Sequence, residues 1–81
     1  MPTERDKILF KLEDVKRRKA AYERLLWILL RDAKEFESDK DVLNAIERLY
    51  RVVQHWIRMA DLGIEIYEEQ LHAIEQGDKR D

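Results

Sequence analysis

The chain has 81 residues, of which 42% are charged and 44% apolar, with no cysteine, two glycines and one proline. This size fits a single domain covering residues 1–81, and the lack of cysteine excludes disulfide bonds and thiolate metal sites. The longest apolar run, Leu25–Leu30, is far shorter than the roughly 20 residues that span a bilayer, and the first residues lack the apolar core of a signal peptide. We therefore expect a cytoplasmic protein that makes no membrane contact.

The first predicted helix covers about residues 3–36. Thr3, followed three residues later by Asp6, has the pattern of a helix N-cap. Lys19 interrupts an otherwise apolar column, and we expect its stem to cross the helix contact while its ammonium stays in water. The main apolar stripe recurs every seven positions: Ile8, Val15, Tyr22, Leu29 and Phe36.

The run Leu25–Leu30 places apolar side chains on every side of this first helix. Trp27 and Ile28 fall opposite the main stripe and, with Phe10, form an outward apolar surface of the kind that marks a contact. Either another molecule binds there, or a neighbouring helix of the same assembly covers it. Both interpretations require a further helix beyond a two-helix hairpin.

The segment Glu37–Asp41 is the predicted break between helices. Ser38 or Asp39 can cap the helix that follows, and Asp41 suits its first turn. A connection this short makes the two helices antiparallel neighbours. One continuous helix through the segment is the alternative, which fits the cluster of capping residues less well.

The second predicted helix covers about residues 40–76, with Gly77 as its expected stop. Four of its seven heptad columns are apolar, whereas a coiled coil needs two and a core-facing helix about three. Such a helix needs neighbours on two or three sides. Gly63 predicts either a close helix–helix approach or a kink that would make three helices. The four columns are Ile46, Val53, Ala60, Tyr67 and Ile74; Val42, Leu49, Trp56 and Gly63; Leu43, Tyr50, Ile57, Ile64 and Leu71; and Ala45, Val52, Met59, Ile66 and Ala73.

Charge is divided unevenly along the chain. Residues 1–36 hold ten Lys/Arg and seven Asp/Glu, whereas residues 37–81 hold six and eleven, for a net charge of −2. Halves of opposite sign favour antiparallel packing of one on the other, with a modest gain because exposed ion pairs are individually weak.

The polar residues form no reactive set. Glu69 and His72 have the Glu-x-x-His spacing of di-iron bundles, but they lie on the polar face, as does His55. The basic run Lys16–Lys19 spreads around the helix axis among acidic residues, which favours a solvated face over a nucleic-acid site. We expect no catalytic residue, no metal, no cofactor and no small-molecule substrate.

Two interpretations account for this organisation. One is a designed or otherwise idealised helical hairpin, because the heptads, the caps and the closing glycine agree with one another. The other is a family. Three segments, together with the opening Arg5–Ile8, resemble the HepT-like proteins of the HEPN superfamily over residues 5–66: Phe36-Glu37-Ser38-Asp39, Ala45-x-Glu47-Arg48 and Asp61-Leu62-Gly63.

This resemblance implies an all-α dimer that acts on RNA in a toxin–antitoxin type of system. Many members are ribonucleases that use an Arg-x(4–6)-His motif on a later helix, which the similar residues do not include. Arg48 and His55 have six residues between them, but they lie in a different helix, and Leu49 follows the arginine. No catalytic role is carried over to them.

The predicted fold is all-α, with two long antiparallel helices forming a hairpin that dimerises into a four-helix bundle. The predicted function is non-catalytic self-association, and the alternative is a truncated or divergent HEPN-type RNA-acting protein. The expected partner is a second copy of the chain. The expected interface residues are Trp27 and Ile28 with one or other flank of the second helix: Leu43, Tyr50, Ile57, Ile64 and Leu71, or Val52, Met59 and Ile66.

Overall fold

Two α-helices make up the structure, a computed structural model that describes residues 1–78. Helix α1 is Glu4–Glu35 and helix α2 is Lys40–Asp78. They pack as an antiparallel hairpin about 65 Å long, in which Arg5 lies near Glu75 and Tyr22 near Trp56. The predicted all-α pair of helices is confirmed.

Both helix starts are capped by side chains. The Thr3 hydroxyl accepts a hydrogen bond from the Asp6 N–H at 3.1 Å, and the Asp6 carboxylate accepts one from the Thr3 N–H at 3.2 Å. Asp39 accepts bonds from the N–H groups of Asp41 and Val42, at 3.1 and 3.2 Å. These bonds satisfy N–H groups that have no partner inside the helix. The break falls where it was predicted, with Asp39 as the cap.

Both glycines lie within α2. The helix runs through Gly63 without interruption, so the three-helix alternative is wrong. The expected stop at Gly77 is also wrong, because the helix continues to Asp78. Neither glycine has the positive φ that a glycine C-cap adopts. Nothing lies within 4 Å of where a Gly77 Cβ would stand, so no contact forces the backbone out of the helix there.

The hairpin seam is the contact between α1 and α2. Its buried side chains, among residues 1–78, are Ile8 and Leu12 from α1 and Val53 and Ala60 from α2, each at most 8% exposed. These residues belong to the main stripe of each helix and its neighbouring column, as the heptads predict.

Among residues 1–78, two ion pairs cross the hairpin seam, each with its base on α1 and its acid on α2. Lys19 Nζ lies 2.6 Å from Asp61 Oδ1, and Arg5 lies 3.7 Å from Glu75. The Lys19 stem crosses the seam as expected, but its ammonium donates to Asp61 rather than only to water. The hydrogen bond to Asp61 raises the pKa of Lys19 above its ordinary value of 10.5.

Much apolar surface stays outside the seam. The accessible surface is 6958 Å², whereas a folded monomer of this mass exposes about 5,200 Å² and its unfolded chain about 14,400 Å². The radius of gyration is 18.4 Å, against about 12 Å for a compact domain of this length. The lone hairpin therefore buries only about half of the unfolded surface, less than the roughly 60–65% expected from its length.

Candidate self-association surface

A second apolar line runs along α2 beside the hairpin seam. Gly63 completes its spacing, so steps of three and four residues alternate as in a coiled-coil seam. All five large members are exposed, which leaves α2 with one seam filled by α1 and an adjoining seam that no part of residues 1–78 covers. These members are Leu49, Val52, Trp56, Met59 and Ile66.

Helix α1 borders the same side of the hairpin. Arg18 lines a cleft of roughly 250 Å³ together with Trp56, Met59 and Gly63. Leu25 and Ile28 follow Arg18 by seven and ten positions, which places them on the same side of α1. Both are exposed. We call the exposed line on α2, with Leu25 and Ile28 of α1, the open face.

Trp56 stands near the middle of the open face. Its ring packs against Tyr22 of α1, with centroids 5.5 Å apart and a tilt of 46°, a favourable arrangement for two aromatic rings. The side chain is still 45% exposed. The Tyr22 contact thus holds a large aromatic ring in place while leaving almost half of it available to a neighbour.

The two flanks of α2 that were predicted as alternatives have different surroundings. The residues Val52, Met59 and Ile66 are exposed on the open face. The other flank is half-buried along the hairpin seam, where Ile57 lines a depression with Leu26. That half-buried flank comprises Leu43, Tyr50, Ile57, Ile64 and Leu71.

Some members of the open face were not among the predicted interface residues. Leu49 and Trp56 belong to the apolar column between the main stripe and the exposed flank, and Leu25 precedes Trp27 by two residues. The sequence does contain a signal for Leu49 and Trp56. Their column adjoins the column of Val52 and Met59, and the two columns together have the alternating spacing of a heptad seam.

Trp27 lies on a different side of α1 from the open face. It is 75% exposed, and Phe10 is 76% exposed. Ile28 lines one depression with Trp27 and Leu30, and as the third residue after Leu25 it also adjoins the open face. The predicted pair Trp27 and Ile28 therefore lies together, with Ile28 at the edge of the open face and Trp27 beyond it.

The residues considered for metal or nucleic-acid chemistry are solvent-exposed or engaged elsewhere. His55, Glu69 and His72 are exposed on α2, and residues 1–78 contain no group of three or more His, Asp or Glu side chains placed to hold a metal. In the basic run, Arg18 lies 3.1 Å from Asp14 and Lys19 reaches Asp61 across the seam. The basic run thus does not present one continuous surface.

The open face can bind another apolar surface, and it offers no group that would transfer a proton or attack a substrate. Neither α1 nor α2, over the residues described, is long and apolar enough to cross a membrane. Comparison with family models, with curated proteins and with solved structures found no match to this chain.

Proposed function

We propose that this protein is a non-catalytic module whose activity is association with itself, as a symmetric dimer in which two hairpins form a four-helix bundle. The open face carries the proposal, because it is a complete heptad seam with no neighbour inside the described part of the chain. Closed twofold symmetry is the commonest way in which a protein buries a surface that is complementary to itself.

The area involved suits a stable dimer. The hairpin exposes about 1,750 Å² more than a compact monomer of its mass would, whereas a standard interface buries about 800 Å² on each partner. Association can therefore remove more than one standard interface from each chain.

The free energy gained by burying the open face is comparable to the cost of association. Complete burial of a large apolar side chain contributes about 1.5–3 kcal/mol. The five open-face residues of α2 are about half exposed in the hairpin, so each adds about 1 kcal/mol on association. Ten such residues per dimer, with Leu25 and Ile28 in addition, contribute on the order of 10 kcal/mol or more, against an association cost of about 4–15 kcal/mol.

The fluorescence of Trp56 tests this proposal. The chain has two tryptophans, so Trp27→Phe leaves Trp56 as the single reporter on the open face. We expect its emission to shift to shorter wavelength as protein concentration rises from nanomolar to about 100 µM, because dimerisation removes water from the ring. The matched variant Trp56→Phe leaves Trp27, whose emission should stay constant. Concentration-independent Trp56 emission in a water-exposed environment would contradict the proposal.

A HEPN-type RNA-acting protein is the alternative. Arg48 and His55, which have the family's motif spacing, are both exposed on α2 and seven positions apart, so they lie on one side of that helix. A ribonuclease assay separates the two proposals, with His72→Ala as the control for a second exposed histidine. RNA cleavage that His55→Ala abolishes and His72→Ala leaves intact would replace self-association with RNA processing.

A further inference from the structure

We infer that the second copy docks antiparallel along the open face of α2, with the twofold axis passing between the two α2 helices at the level of residues 58–59 and with Arg48 facing Glu69 of the other copy. The inference rests on the proposed self-association and adds its orientation and register. Three observations support it: the distribution of charge along α2, the column of residues that contains Arg48 and Glu69, and the glycine at position 63.

The charge of α2 reverses along its length. Residues 40–58 contain four Lys/Arg and two Asp/Glu, whereas residues 59–77 contain five Asp/Glu and no Lys/Arg. Two such helices side by side in parallel would bring like charge against like charge. In an antiparallel pair, the basic half of α2 in each copy lies along the acidic half of α2 in the other. The change from basic to acidic residues falls at about residue 58.

The column of residues along one edge of the open face also changes from basic to acidic along α2. The column next to Val52 and Met59, on the side away from α1, contains Arg48, His55, Leu62 and Glu69. Within residues 1–78, neither Arg48 nor Glu69 takes part in an ion pair of the hairpin. In an antiparallel helix pair the same edge column of both helices meets, so an axis midway between residues 48 and 69 pairs them twice.

The same axis position accounts for the glycine at position 63. A Cβ built at Gly63 would lie 3.6 Å from Val15 Cγ1, an ordinary contact distance, so the hairpin itself does not require glycine there. Glycine is nevertheless a poor residue for a helix interior. An axis at residues 58–59 brings Trp56 of the second copy within about half a turn of Gly63, where the missing side chain leaves room for the ring.

Docking of α1 from the second copy onto the open face of α2 is the competing arrangement. In the hairpin, Lys19 stands level with Asp61 and Arg5 with Glu75. A dimer axis parallel to the helices keeps those levels, which brings Arg48 of one copy level with Asp32 of the other, and Glu69 level with Lys11. In that arrangement a variant with both Arg48→Glu and Glu69→Arg would stay weakened, whereas the α2-to-α2 arrangement predicts its recovery.

Charge reversal in a mixing experiment tests this inference. We expect Arg48→Glu alone and Glu69→Arg alone to weaken the homodimer on the order of tenfold at low salt, because two attractive pairs per dimer become repulsive. The double variant should recover wild-type affinity. Lys16→Glu makes the same change of charge on the side of α1 away from the open face, so it should have little effect on dimer affinity.

An equimolar mixture of the two single variants should also recover wild-type affinity. In the mixed dimer the introduced glutamate of one chain faces the introduced arginine of the other. The native Glu69 of the first chain faces the native Arg48 of the second, so both pairs are again attractive.

Sedimentation equilibrium on the wild type, the variants and their mixture separates the possible failures. A wild-type dimer whose single variants keep full affinity, or whose mixture fails to recover, would overturn the register and leave self-association standing. A wild type that remains monomeric up to about 100 µM would overturn both. Circular dichroism of each variant confirms that a lost dimer is not a lost helix.

Discussion

Met59→Glu is the substitution that discriminates most sharply between association and folding. Met59 lies in the middle of the open face and is 54% exposed in the hairpin. A glutamate there stays in water as long as the chain is monomeric. In the dimer the same carboxylate would be enclosed between two copies, close to its equivalent in the other chain.

The expected effect is large because both copies contribute. Loss of the apolar contact removes about 1 kcal/mol per chain, since roughly half of the side chain remains to be buried on association. Desolvation of two carboxylates that face each other costs at least about 2 kcal/mol more. A total of about 4 kcal/mol corresponds to dimerisation weakened roughly 1,000-fold.

The assay is sedimentation equilibrium combined with thermal unfolding at several protein concentrations. Met59→Glu should sediment as a monomer and melt like highly diluted wild type, and its melting temperature should not depend on concentration. Gln54→Glu, which introduces the same charge at an exposed position outside the open face, should leave the dimer intact. An unchanged dimerisation constant for Met59→Glu would refute the assignment of the open face as the interface.

Three further predictions concern the hairpin itself. Ile57→Glu should reduce helicity even in dilute, monomeric samples, because Ile57 lies in the hairpin seam; circular dichroism measures this. Asp39→Ala should destabilise the protein by about 1 kcal/mol in chemical denaturation, whereas Ser38→Ala should not, because only Asp39 caps α2. Asp61 raises the pKa of Lys19 above 10.5, so this pair stabilises the fold fully below the ordinary pKa and loses its effect as pH rises through the raised pKa. The melting-temperature advantage of wild type over Asp61→Asn should therefore disappear in strong base.

Features governed by a few neighbouring residues were predicted closely. The Thr3 and Asp6 capping box and the Asp39 cap follow from side chains that bond to backbone groups two or three residues away. Gly77 was the exception among local signals. Glycine permits a left-handed C-cap but does not impose one, so a helix can continue through it.

The flank of α2 that receives α1 depends on non-local packing and was left open. Both flanks of the Val53 and Ala60 column are apolar, so hydrophobicity alone does not choose between them. The structure shows a distinguishing signal in the charges beyond each flank. Asp61 and Glu75 lie beyond the flank that α1 covers, where they meet Lys19 and Arg5, whereas the column beyond the open flank holds both Arg48 and Glu69.

The molar mass of the wild-type chain in solution tests the central claim most directly. Light scattering on a size-exclusion column, at loading concentrations from about 1 to 100 µM, measures it without any label or substitution. Self-association through the open face predicts a mass of about twice the 9.9 kDa of one chain at the upper concentrations. A well-folded helical species that remains at 9.9 kDa across the whole range would contradict it.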